Sequence, residues 1–87
     1  MSESPESLLQ FPTDVPVKVF GRNEHGFRVA AIEIVRAHYG DEHRVVEQPS
    51  KKGNYLSLTI TVRAETRAQI DAMYQDLVAS DEIMMVI

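Results

Sequence analysis

YLSLTITVR, residues 55–63, alternates without interruption: Leu56, Leu58, Ile60 and Val62 fall on one side, and Tyr55, Ser57, Thr59, Thr61 and Arg63 on the other. A period of two with β-branched residues is a strand with one apolar face. Such a face needs a covering layer, and the residues that follow supply one. Thr66, with Gln69 three positions on, has the form of a capping box. Ile70, Met73, Tyr74, Leu77 and Val78 then repeat at helical spacing. A half-wet strand running into an amphipathic helix is the unit from which the rest of the chain is read.

Upstream, Lys51-Lys52-Gly53-Asn54 is a hairpin loop, because Gly and Asn tolerate positive φ. It is not a nucleotide loop, which needs its lysine after the glycines and a helix next. HRVVEQ, residues 43–48, reads as a short polar edge strand closed by Pro49. Between Glu24 and Tyr39 the period becomes helical, with Phe27, Ala31, Ile34, Val35 and His38 in one stripe, and Gly40 suits the left-handed position after the last turn. VPVKVF, residues 15–20, alternates again, placing Lys18 and Phe20, with Arg22 beyond them, on the side away from the valines. At the other end, EIMMVI is a last apolar strand, expected to turn Ile83, Met85 and Ile87 inward and Met84 and Val86 outward.

The order strand, helix, strand, strand, helix, strand predicts an α+β, ferredoxin-like βαββαβ sandwich: a four-stranded antiparallel sheet of order 4-1-3-2 with both helices on one face. Residues 15–87 form this domain and residues 1–14 a Ser-, Glu- and Pro-rich tail, in which Leu8, Leu9 and Phe11 make a small apolar cluster suited to docking. Eighty-seven residues hold one core and little room for a deep cavity.

Composition narrows the chemistry. With no cysteine there is no disulfide, thiolate metal site or thiol nucleophile. His25, His38 and His43 include no pair at helical metal-site spacing, so no metal or cofactor is expected. Ser50 and Ser57 lack a recognisable His–Asp partner motif. The opening residues have no signal-peptide pattern and no run approaches a membrane span, so a cytoplasmic protein is expected. A net charge of −4 argues against an electrostatic nucleic-acid binder. Tyr55 alone offers a ring on the 55–63 strand, which also makes base stacking poor.

That charge is unevenly placed: residues 65–87 contribute −4, whereas residues 44–63 contribute +3. Lys51, Lys52, Gly53 and Asn54 at the hairpin tip, with Lys18, Phe20, Tyr55 and Ser57 on the uncovered face, are the candidate ligand or partner site. They suit a small anion or an acidic peptide. The bland alternative is a solvated surface.

Three blocks carry a resemblance: Leu8-Leu9-Gln10-Phe11-Pro12-Thr13, Lys18-Val19-Phe20-Gly21 and Pro49-Ser50-Lys51-Lys52-Gly53-Asn54-Tyr55, with Met84-Met85-Val86-Ile87 at the end. Together they resemble the YbeD-like family of small bacterial proteins, a domain of unknown function. The resemblance implies the same fold, a shape similar to the ACT modules that bind amino acids and regulate enzymes, and a link to lipoate metabolism. It implies no catalytic residues. Separately, Gly21-Arg22-Asn23-Glu24-His25-Gly26-Phe27-Arg28 resembles the phosphate loop of acylphosphatases, with Arg28 in the place of the phosphate-binding arginine. The loop is one residue short, and HRVVEQ lacks the water-orienting Asn, so the positioning that this chemistry needs is missing.

The expectation is therefore a non-enzymatic regulatory or adaptor domain that binds a small ligand or a protein. The competing class is a pure protein–protein module using an exposed strand edge, with a homodimer through the last strand as one form of it. An acylphosphatase-like enzyme ranks third.

Overall fold

The structure is a computed structural model and describes residues 10–87. Its elements are β1 (Thr13–Arg22), α1 (His25–Tyr39), β2 (His43–Pro49), β3 (Tyr55–Ala64), α2 (Arg67–Ala79) and β4 (Met85–Val86). The sheet is antiparallel in the order β2-β3-β1-β4, the predicted ferredoxin-like arrangement read from its other edge. β1 begins at Thr13, inside the segment expected as tail, and pairs with β3 from Thr13↔Ala64 to Arg22↔Tyr55. Of the apolar cluster in that segment, Phe11 is half-buried, while Leu8 and Leu9 lie outside the described residues.

Register decides which side chains meet. Val17 opposes Ile60 and Val19 opposes Leu58, so the apolar alternations of β1 and β3 share one face. All four are buried, as are Leu56 and Val62. Phe27, Ala31 and Val35 of α1 and Met73 and Leu77 of α2 close the core above them. α2 starts with the capping box that the sequence predicts: the Gln69 N–H donates to the Thr66 hydroxyl, and the Gln69 side chain accepts from the Thr66 N–H. The helices are also joined at their surface, where His38 Nε2 lies 2.7 Å from Asp76 Oδ2.

Three expectations need correction. Val78 is 69% exposed. It stands about 100° around the helix from Leu77, beyond the flank of the buried stripe. Gly40 has positive φ, but at φ 63° and ψ −137° it is outside the left-handed helical region and lies where glycine alone is comfortable. In the last segment Ile83 points inward, but the next core residue is Val86, and Met85 and Ile87 are exposed. The Met84 N–H donates to the Phe20 carbonyl while Met85 is the partner of Phe20 in the register. Two residues thus oppose one, the pattern of a β-bulge. The extra residue flips the alternation.

Candidate functional site

Both helices lie on one side, so the other side of the sheet is open among the described residues. Gln48, Ser57, Phe20 and Met85 form one row across all four strands. Val46, Thr59 and Lys18 form the next, extended by Ile87, whose main chain exchanges hydrogen bonds with that of Lys18. Arg44, Thr61 and Pro16 form a third. Asp14 and Arg63 stand beyond it and are ion-paired at 3.4 Å.

The charges on this face are segregated. Lys18, Arg22, Arg44 and Arg63 are cationic, and Asp14, held by Arg63, is the one acid among the described residues there. An acidic protein has therefore gathered cations on its uncovered side, while most of its acids sit on the helices and connecting loops. Between the cations lie exposed apolar groups, with Met85 56% and Val46 66% accessible. The Lys18 ammonium sits 5.6 Å from the centroid of the Phe20 ring. That contact leaves the charge on the surface above an apolar floor.

A shallow hollow of about 280 Å³ is lined by Lys18, Phe20, Gln48, Pro49, Ser50, Tyr55, Leu56 and Ser57. Four predicted residues, Lys18, Phe20, Tyr55 and Ser57, come together in it. Gly53 and Asn54 do not join them. They line a second hollow of about 350 Å³ at the end of the sheet, with Arg22, Asn23 and Glu24, and Tyr55 forms the wall between the two. Lys51 and Lys52 line neither hollow and project from the hairpin tip as exposed cations. Their turn is shaped locally. The Gly53 N–H donates to the Ser50 carbonyl, Gly53 has φ 80°, and the Ser50 hydroxyl accepts from the Tyr55 N–H.

Gln48, Pro49 and Ser50 also line the site, although the sequence reading gave none of them a binding role. Counting back across the four-residue loop pairs Gln48 with Ser57, which is the signal that could have found them. A second group is hidden from sequence reasoning because it joins distant segments. Asn23 donates through its side chain to the Gly53 carbonyl and through its main chain to the Asn54 carbonyl, both near 3 Å. Its Oδ1 accepts from Arg28 at 2.8 Å, and Arg28 Nε pairs with Glu47 Oε1 at 3.0 Å. This chain of bonds braces the hairpin tip against the start of α1. It also places a carboxylate on the guanidinium that an acylphosphatase would reserve for phosphate.

Comparison with known proteins agrees with this geometry at the level of family and fold. The solution structure of protein HP0495 from H. pylori superposes with a TM-score of 0.78, covering 100% of this chain and 98% of that one, at 10% sequence identity; this likeness concerns the fold alone. A UPF0250 protein of Paraburkholderia phymatum is 39% identical over 89 residues, spanning 100% of both chains. One from Leptothrix cholodnii is 47% identical over 74 residues, covering 83% of this chain and 81% of its own. A family model described as "Protein of unknown function (DUF493)" matches residues 6–87. The chain belongs to that family of small bacterial, YbeD-like proteins.

Proposed function

We propose that the chain is a non-enzymatic regulatory or adaptor domain, ACT-like in its use of the fold, that holds an anionic ligand or an acidic partner segment on the open face of its sheet. The observation that carries this reading is the cationic bias of that face around a hollow lined by the Phe20 and Tyr55 rings. A carboxylate can meet the Lys18 ammonium while an apolar chain lies on the Phe20 ring and Pro49. Lipoate, to which the family resemblance points, has both parts: a carboxylate and an apolar tail. Regulation would follow from differential binding, in which the occupied face favours one state of a target protein. The ion pair between Arg28 and Glu47 supports a non-enzymatic role.

Titration of isotope-labelled protein with lipoate, octanoate and a set of amino acids, followed by NMR, tests the proposal. Shifts should gather at Lys18, Phe20, Gln48, Tyr55 and Ser57, and Lys18→Glu should weaken binding at least about tenfold. Absence of saturable shifts with any of these anions, or shifts confined to the helix side, would sink it. Hydrolysis of a generic acyl phosphate by the purified protein, lost in Arg28→Ala, would instead make the chain an enzyme.

A further inference from the structure

The cations on the two sides of the sheet are not equally engaged. On the helix side Arg28 holds Glu47, Arg36 holds Asp41 and Arg67 holds Asp71. α2 and the loop after it also carry Asp76, Asp81 and Glu82. On the open face Arg63 holds Asp14, but Lys18 and Arg44 have no carboxylate partner among the described residues. The Lys18 ammonium rests on the Phe20 ring instead. An acidic segment is therefore attracted to one side of this molecule and repelled from the other.

The chain itself carries such a segment. Residues 1–9 contain Glu3 and Glu6 and no lysine or arginine. They enter the sheet through Gln10, three positions before β1 begins, and β1 lies inside the sheet with β3 on one side and β4 on the other. Extended chains rise by equal steps, so a segment that doubles back at Gln10 or Phe11 keeps pace with β1 residue for residue. Glu6 then comes level with Asp14 or Pro16, where Arg63 and Arg44 stand on the neighbouring strands. Glu3 comes level with Val17 or Val19, on either side of Lys18. Length and charge thus choose the same face.

We propose that residues 1–9 are an acidic strap laid across the open face of the sheet, with Glu6 at Arg44 and Arg63 and Glu3 at Lys18. A tethered carboxylate holds its site at a high effective concentration, so an anionic ligand must displace the strap to reach Lys18. That competition rests on the ligand reading, whereas the docking does not.

The chain has no cysteine, so an introduced pair reports without background. By the same fold-back Ser4 comes level with Pro16 or Lys18. In the full chain, Ser4→Cys with Thr59→Cys, the register partner of Lys18, should cross-link under mild oxidation. Ser4→Cys with Gln75→Cys, exposed on α2, should cross-link far more slowly. Adding Glu3→Lys and Glu6→Lys should slow the first cross-link at least about tenfold with an unchanged circular dichroism spectrum, and raising salt from about 0.05 to about 0.5 M should slow it too. Without the cysteines, the same charge reversal should tighten octanoate severalfold over wild type. Faster cross-linking at position 75 overturns the proposal, as does a cross-link at position 59 that ignores both charge reversal and salt. Equal octanoate affinity in wild type and reversed chain overturns the competition. The expected cross-links in a chain that binds no anion would bear out the strap and count against the ligand reading.

Discussion

At Gly21 the main chain of β1 passes directly beneath the Phe27 ring. A Cβ there would stand 2.6 Å from the ring's Cγ, so the glycine of the Lys18-Val19-Phe20-Gly21 block is needed for packing. Gly21→Ala should cost about 1–3 kcal/mol, read as a lower urea midpoint with an unchanged slope. Tyr39 is the opposite case. Its hydroxyl is out of solvent contact and has no hydrogen-bond partner among the described residues, and burial pushes the phenol above its ordinary pKa. Tyr39→Phe should hold or raise stability, by up to about 1 kcal/mol. Linkage gives the sign of the pH dependence. A folded state that keeps its proton where the unfolded chain has lost it loses stability as pH rises above about 10. Thermal unfolding of wild type and Tyr39→Phe should therefore diverge further in favour of the variant above that pH. Neither residue's role is visible in a pattern of periods, because each depends on what lies across the core.

Elements whose cause is local are legible in the residues themselves. The unbroken alternation of 55–63 is a strand with Leu56, Leu58, Ile60 and Val62 buried, and Thr66 with Gln69 is a reciprocal cap. Thr66→Ala should lower stability by about 1 kcal/mol by chemical denaturation. The fold follows because six such elements in this order leave few other topologies. Elements shaped by a partner are harder. The bulge at Met84 and Met85 depends on the Phe20 carbonyl, far away in sequence, and it reverses the expected facing of the last strand. The two hollows likewise cannot be separated by periodicity. Tyr55 parts them only once β1 is in register with β3, and the bracing of the hairpin tip by Asn23, Arg28 and Glu47 spans distant segments of the chain.

For the whole molecule, the separation of charge between the two sides of the sheet predicts how binding responds to salt and substitution. Lys51 and Lys52 project from the hairpin tip and line neither hollow. Lys51→Glu with Lys52→Glu should leave folding intact, weaken an acidic protein partner severalfold, and affect a small carboxylate much less than Lys18→Glu does. Parallel calorimetric titrations of both variants would show this, and equal losses for the small ligand would place the anion at the tip.

The bulge beside Phe20 has one more consequence. By turning both Met84 and Met85 outward, it puts two thioethers within reach of peroxide while the buried Met73 stays shielded. Conversion of the outer pair to sulfoxide would leave the core undisturbed and make a previously greasy border polar. Oxidant exposure would then rewrite the polarity of this border at little expense to folding.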